Sequence, residues 1–134
     1  MGTKNILVVD DCPANLKLLR LLLVAEGHAV QTATCGEDAL ALLSSLLPDA
    51  ILMDIQMPGM NGLELTRRIK SDPRTARIRV LAVSANAMEA DVQEAQNAGC
   101  EGYITKPINT RTFVNTILDH LDYGEAPTGI SQWR

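Results

Sequence analysis

The stretch Ala50-Ile51-Leu52-Met53-Asp54 decides the fold class, because it is a short apolar run without polar alternation that ends in a carboxylate. Two other stretches have the same form, Asn5-Ile6-Leu7-Val8-Val9-Asp10 and Val80-Leu81-Ala82-Val83-Ser84. Runs of this kind are typical of strands that are covered on both faces, as in a parallel sheet. Weaker candidates at Ala29–Ala33 and Gly102–Thr105 bring the predicted strands to five.

Helical periodicity fills the intervals between these strands. We expect helices over 14–26, 37–47 and 63–70, a thinner one around 88–95, and a last one that Asn109 caps. The side chains predicted to face the core are Leu18, Leu21, Leu22 and Ala25; Ala39, Leu40, Leu43 and Leu47; Leu65 and Ile69; Met88, Val92 and Ala95; and Phe113, Ile117 and Leu121. The alternation predicts an α/β fold, a doubly wound (βα)5 five-stranded parallel sheet with helices on both faces.

Composition and charge narrow the classes of function. The 134 residues suit one domain, and the net charge of −4 argues against a broad nucleic-acid-binding face. No apolar run approaches the ~20 residues of a membrane span and no signal peptide is recognisable, so we expect a cytoplasmic protein without a membrane partner. Cys12, Cys35 and Cys100 are odd in number and lack paired His, which favours isolated buried thiols. His28 and His120 are predicted to lie on the surface.

Polar side chains stand where the predicted strands end. Asp10 and Asp11 follow the first strand, Asp54 ends the third, Ser84 ends the fourth, and Lys106 follows the fifth. Doubly wound sheets bind ligands outside the carboxyl ends of their strands, so we expect these groups to converge at one edge. Three carboxylates need a counter-charge, and a set of oxygen ligands favours Mg²⁺ over Zn²⁺. The ammonium at position 106 would supply the remaining positive charge.

A site of this composition can accept a phosphoryl group on a carboxylate. The metal and the lysine would neutralise the transferring oxygens, and the Ser84 hydroxyl could hydrogen-bond one of them. The sequence has no GxxxxGK[ST] phosphate loop, no Cys/His nucleophile pair and no evident general base. A conventional multi-substrate enzyme is therefore disfavoured.

Four separated motifs resemble those of CheY-like response-regulator receiver domains, and within that family they look most like DivK-type single-domain regulators. The motifs are Val8-Val9-Asp10-Asp11, the stretch from Ile51 to Gly62, Val83-Ser84-Ala85, and Tyr103-Ile104-Thr105-Lys106-Pro107-Ile108. The resemblance covers about residues 4–121 and implies a flavodoxin-like strand order 2-1-3-4-5. We expect a receiver domain over 1–122 and, from its low apolar content, a mobile C-terminal tail or linker over 123–134.

The resemblance implies which residues receive the phosphoryl group and hold the metal. Asp54 would be the phosphoacceptor. Mg²⁺ would be bound by the carboxylates of Asp11 and Asp54, by the backbone carbonyl of Gln56, and by Asp10 directly or through water.

The resemblance also implies a switch and its partners. Ser84 would be the switch hydroxyl, Lys106 the phosphate-binding ammonium before a cis Lys106–Pro107 bond, and Tyr103 the aromatic whose rotamer reports the state. A sensor histidine kinase or histidine phosphotransfer protein would be the donor. A downstream protein would read the face made by the fourth helix, the fifth strand and the fifth helix. No direct contact with nucleic acid or membrane is implied.

Two other classes of function compete with this interpretation. A phosphohydrolase with an aspartyl nucleophile would want a second acid two residues after Asp54, where Gln56 stands. A degenerate receiver that only binds a partner would lack some of the site residues, and all are present.

A redox role for Cys12, which stands where a polar residue is more usual, is a weaker alternative to a plain thiol. A stand-alone regulator and a receiver excised from a longer protein fit equally well.

Overall fold

The apolar runs form one parallel sheet in a computed structural model that describes residues 4–55, 57, 61–85, 88–105, 111, 113 and 117. The strands are β1 (Asn5–Val9), β2 (Ala29–Ala33), β3 (Ala50–Asp54), β4 (Arg79–Ser84) and β5 (Gly102–Thr105). Their order across the sheet is β2-β1-β3-β4-β5, which confirms the predicted order 2-1-3-4-5. The register pairs Val9 with Met53 and Asp54 with Val83, so the carboxyl ends of β1, β3 and β4 lie at one edge.

Four helices lie within the described residues: α1 (Pro13–Ala25), α2 (Gly36–Leu43), α3 (Gly62–Ser71) and α4 (Glu89–Ala98). Phe113 and Ile117 are helical and buried, in agreement with the predicted last helix, and the other residues of that prediction, Asn109 and Leu121 included, lie outside the described residues. No helix in this part of the chain is both long and apolar enough to cross a membrane.

The core consists of one apolar layer on each face of the sheet. One layer contains Leu43 of α2, Leu65 and Ile69 of α3, and Ala95 of α4. The other contains Leu19 and Leu23 of α1 together with Phe113 and Ile117. The central strands supply side chains to both layers, Leu7 and Val9 to the first and Ile6 and Val8 to the second. This distribution is that of the doubly wound sheet that the apolar runs predicted.

The buried face of α1 differs from the predicted one. We expected Leu18 and Leu21 to face the core, and both are exposed, Leu21 to 59%. The residues that the helix buries are Leu16, Leu19 and Leu23. The run of leucines between 16 and 23 offers several apolar stripes, and the one that faces the sheet is set by where the helix begins, at Pro13. The predicted face was therefore wrong at Leu18, Leu21 and the exposed Ala25, whereas Leu22 packs against the core as predicted.

The ends of two other helices were also predicted imperfectly. The second helix stops at Leu43, before the expected position 47, and leaves Leu47 exposed. Met88 precedes α4 and is 69% exposed, so it is not part of the core-facing stripe. The helix buries only Ala95 and Ala98, which lie in its C-terminal half. In its N-terminal half, Val92 is partly buried and packs against the core, as predicted.

A hydrogen-bond network around Lys70 stabilises the edge of the sheet where the strands begin. This edge is opposite the strand ends that carry the acids. The Lys70 ammonium donates to the carbonyls of Ala76 at 3.1 Å and Ile78 at 2.6 Å, and to the Glu101 carboxylate at 2.7 Å. The other oxygen of Glu101 accepts from the backbone N–H of Val80 at 2.8 Å. These bonds join the connection from α3 to β4 with the residues just after α4, so α4 is held mainly at its C-terminal end.

His28 and two of the cysteines correct the sequence-based expectations of burial. His28 is only 8% exposed, not on the surface, and its Nδ1 accepts from the backbone N–H of Lys4 at 3.1 Å. Cys100 is buried as expected, whereas Cys12 and Cys35 are partly exposed. Both of these residues occupy the N-cap positions of helices, α1 and α2, where the chain turns at the surface.

We expect two of the three thiols to react rapidly with a thiol reagent and the third to react slowly. Burial raises the pKa of Cys100 to about 11, although a hydrogen bond with Thr66 acts in the opposite direction. At pH 8 only about one Cys100 thiol in a thousand is then ionised, and the thiolate is the reactive form. Ellman's reagent should modify Cys12 and Cys35 rapidly and Cys100 only as fast as the protein opens. Rapid reaction of a Cys12→Ser/Cys35→Ser variant would contradict this.

Candidate functional site

Three carboxylates meet at the carboxyl edge of the sheet. Asp10 follows β1 and Asp54 ends β3, its neighbour in the sheet, so the two acids are brought side by side by strand pairing. One carboxylate oxygen from each of Asp10, Asp11 and Asp54 lies within 4.8 Å of the others. Asp10 is 2% and Asp54 5% exposed, whereas Asp11 is open to solvent. The cluster thus consists of two buried acids and one acid that is exposed to solvent.

The charges of this cluster repel one another. Two carboxylates 4.8 Å apart repel by about 3 kcal/mol at an effective dielectric near 20. Sheltering two of the three from water makes this repulsion harder to screen. A cation among them would remove it, and their oxygens are the donors that hard divalent cations prefer. The residues present therefore fit a divalent metal ion.

Hydrogen bonds from Cys12 and Asn15 help to hold Asp10 in place. Its Oδ1 accepts from the backbone N–H of Cys12 at 2.8 Å, and its Oδ2 accepts from the side-chain amide of Asn15 at 3.2 Å. Asn15 is the third residue of α1, and long side chains on a helix point back toward its N-terminus. The sequence interpretation missed Asn15; the signal that could have found it is a polar residue in the first turn of the helix that follows the acid pair.

The end of β3 is packed tightly against the start of α3. The N–H of Gly62 donates to the carbonyl of Ile55 at 3.1 Å, and the Asn61 side chain caps α3 by accepting from the N–H of Glu64 at 2.9 Å. A Cβ atom at Gly62 would lie 2.5 Å from the carbonyl oxygen of Asp54. The close approach of these two segments therefore requires glycine, and it fixes the backbone of the candidate acceptor.

Ser84 and Tyr103 are coupled beside this site. Ser84 ends β4, the strand next to β3, and is buried. Tyr103 on β5 is 3% exposed and hydrogen-bonds with the Ser84 side chain. Burial raises the pKa of the Tyr103 phenol, and the bond with Ser84 partly offsets that rise. The sequence left open whether Tyr103 is a half-buried strand residue; it is buried and paired with the hydroxyl that was predicted to be the switch.

The other predicted site residues cannot be placed. Lys106, the Lys106–Pro107 bond and Gln56 lie outside the described residues, as does the predicted tail over 123–134. The structure brings together Asp10, Asp11 and Asp54, and it joins Ser84 to Tyr103 on the adjacent strands. The roles assigned to these residues remain predictions.

The geometry of this edge agrees with a comparison of the chain with known proteins. The family model described as "Response regulator receiver domain" matches residues 6–118. The chain belongs to this family. The receiver domain is 42% identical over 119 residues to the polar-differentiation response regulator DivK of Brucella ovis, covering 89% of this chain and 97% of that protein.

Solved structures agree with the receiver assignment. The chemotaxis response regulator CheY4 of Vibrio cholerae superimposes with a TM-score of 0.85 at 27% identity, over 90% of this chain and 100% of that one. A CheY-like receiver domain protein of Methanospirillum hungatei gives a TM-score of 0.84 at 30% identity, over 92% and 97%. The predicted resemblance is thereby confirmed. As a receiver domain, the chain belongs to two-component signalling, in which such domains accept phosphoryl groups and interact with donors and downstream targets. The predicted domain end at residue 122 stays a prediction.

Proposed function

We propose that this receiver domain accepts a phosphoryl group on Asp54 from a phosphohistidine, with Mg²⁺ bound by Asp10, Asp11 and Asp54. The observation that supports the proposal is the cluster of three carboxylates with oxygens within 4.8 Å of one another. Within it, Asp54 is the acid that ends the central strand β3. The backbone carbonyl of Gln56 is proposed as a further metal ligand, and the Lys106 ammonium as a partner of the phosphoryl oxygens.

The metal would supply positive charge that lets an anionic donor approach three carboxylates and that stabilises charge on the transferring oxygens. The residues of the chain itself would retain the cation and admit the donor. Asp10 and Asp11 supply most of the negative charge that retains the cation, and their strand-end position holds it beside Asp54. Ala85, small and exposed next to Ser84, leaves the entrance open to a donor side chain.

The proposed transfer is an in-line displacement at phosphorus. A carboxylate oxygen of Asp54 forms the new O–P bond as the N–P bond of the phosphohistidine breaks; the electron pair of that bond returns to the ring nitrogen, and the imidazole takes up one proton from water. The product is an acyl phosphate on Asp54 and a free histidine on the donor. The tight contact of Gly62 with the Asp54 carbonyl keeps the attacking side chain on a rigid backbone, which favours alignment with the donor.

The new phosphoryl group would act on the switch through Ser84. Its dianionic oxygens compete with Tyr103 for the Ser84 hydroxyl, and a charged acceptor forms the stronger hydrogen bond. Loss of the present bond changes the position of Tyr103 and hence the packing under α4, which is anchored mainly at its C-terminal end. The face of α4, β5 and the last helix is therefore proposed as the output surface, and the change as a population shift between two states.

The partners of this step are proposed from its chemistry. The donor is a sensor histidine kinase or a histidine phosphotransfer protein, and the reader is a downstream protein that binds the output surface. The chain acts as a switch, with only its own phosphorylation and slow dephosphorylation as chemistry.

Incubation with phosphoramidate, which contains the same P–N bond as phosphohistidine, tests the proposal. Mass spectrometry should find one phosphoryl group per chain in Mg²⁺ and almost none in EDTA. Borohydride trapping, which reduces an acyl phosphate to an alcohol, should map the modified residue to Asp54. Modification that persists in EDTA, or that maps elsewhere, would refute the proposed site.

A further inference from the structure

The carboxylate of Asp10 is the most restrained group of the acidic cluster. It is 2% exposed, and each of its oxygens accepts a hydrogen bond, from the Cys12 N–H at 2.8 Å and from the Asn15 amide at 3.2 Å. Two donors on two different oxygens fix both the position of the group and the rotation of its plane.

Asp11 next to it is held quite differently. Its side chain is exposed, and within the described residues no group donates a hydrogen bond to it. The pair therefore combines one carboxylate of fixed orientation with one that can follow an incoming cation. The Asn15 bond adds a restraint that the Cys12 bond does not, because it holds the second oxygen and so limits rotation of the carboxylate plane.

The chemical nature of the Asn15 donor matters as much as its position. A lysine or arginine in its place would neutralise Asp10 and compete with a cation for it. An amide orients the carboxylate and does not itself neutralise its charge. A neutral donor that orients a metal ligand from behind is the usual arrangement around protein metal sites.

We propose that Asn15 is a positioning residue of the metal site, which aims the Asp10 carboxylate at the bound cation. The inference rests on the proposed function, because it assumes that the acidic cluster binds Mg²⁺. Without the Asn15 bond, the second oxygen of Asp10 loses the donor that fixes it, and the carboxylate plane is less restrained relative to the other acids. Loss of such an orienting partner lowers metal affinity by about tenfold or more.

The test is a titration of the full chain with MgCl₂, followed by the backbone amide signals of residues around the site in ¹H–¹⁵N spectra. Asn15→Leu keeps the shape of the side chain without the donor, and Asn15→Ala removes both. Each should weaken Mg²⁺ binding about tenfold, whereas Asn15→Gln, which retains an amide, should stay within about threefold. The Cys12 amide signal of the metal-free Leu variant should also shift, since that N–H reports the orientation of Asp10.

Asn97→Leu is the matched control, because Asn97 lies on the exposed side of α4 and, among the described residues, accepts from Gln93 alone. It should bind Mg²⁺ like the unmodified chain. Asn15→Leu with unchanged affinity would overturn the proposal, as would an Asn15→Gln variant as weak as Asn15→Leu. Loss of stability in EDTA without loss of affinity would show a structural role and also overturn it. Failure of the unmodified chain to bind Mg²⁺ is a separate result, which would refute the proposed function itself.

Discussion

Replacing Asp54 with Asn is expected to abolish phosphoryl acceptance and, without Mg²⁺, to make the fold more stable. An amide nitrogen is not a nucleophile, so no acyl phosphate forms. The substitution also removes one of three charges whose oxygens lie within 4.8 Å of one another. Relief of this repulsion should raise the free energy of unfolding in EDTA by about 1–3 kcal/mol. Urea unfolding in EDTA measures the gain, and saturating Mg²⁺ should shrink it, because the cation stabilises the unmodified chain.

A matched control lies at the other end of the same strand. The Asp49 carboxylate accepts from the backbone N–H of Asn5 at 2.8 Å, far from the acidic cluster. Asp49→Asn should cost about 1 kcal/mol in EDTA and in Mg²⁺ alike and should leave phosphoryl acceptance intact. If Asp54→Asn proved less stable than the unmodified chain in EDTA, the three acids would not be under the strain inferred from their spacing.

The sheet was predictable because its signal is local and unambiguous. A run such as Ala50–Asp54, apolar at every position before its last, has few other uses than a strand covered on both faces. Its observed limits coincide with the predicted ones, as do those of Ala29–Ala33 and Gly102–Thr105. Once the strands are parallel, their carboxyl ends must share an edge, so the meeting of Asp10 and Asp54 followed from topology alone.

Helix orientation was less predictable because it depends on contacts remote in sequence. In α1, leucines lie on several sides of the helix, and only the sheet decides that Leu19 is buried and Leu21 exposed. His28 shows the same limit: its burial comes from a bond to Lys4, which is brought near by the pairing of β1 with β2. Composition cannot reveal a partner that only the assembled sheet supplies.

The candidate site shows which contacts sequence patterns do not predict. Acids at strand ends are visible in a sequence, whereas the amide that orients one of them is not. The bond from Asn15 to Asp10 depends on the angle at which α1 leaves the turn after β1. The pairing of Tyr103 with Ser84 likewise depends on side-chain directions across two strands. These contacts to the site residues are set by tertiary packing, which the spacing of residues along the sequence does not reveal.

Gly62→Ala is expected to damage both the fold and the acceptor site. The added Cβ would lie 2.5 Å from the carbonyl oxygen of Asp54, 2.8 Å from the Cα of Ile55 and 2.9 Å from the Cγ of Met53. Two of these three atoms belong to the backbone and cannot move aside as a side chain can, so the start of α3 must shift away from β3. Overpacking of this kind costs about 3 kcal/mol. Chemical denaturation should record that loss.

The same shift moves the Asp54 backbone, so phosphoryl acceptance from phosphoramidate should slow by about tenfold or more, as expected for a displacement near 1 Å. Gly27→Ala separates this effect from the general cost of replacing glycine. Gly27 has φ +90°, and its added Cβ meets no atom within 4 Å, so the variant bears only backbone strain of about 1–2 kcal/mol. It should accept phosphate at the unmodified rate. Only Gly62→Ala disturbs the backbone at the acceptor. Equal rates of phosphoryl acceptance for Gly62→Ala and Gly27→Ala would therefore mean that the contact between α3 and β3 does not align Asp54.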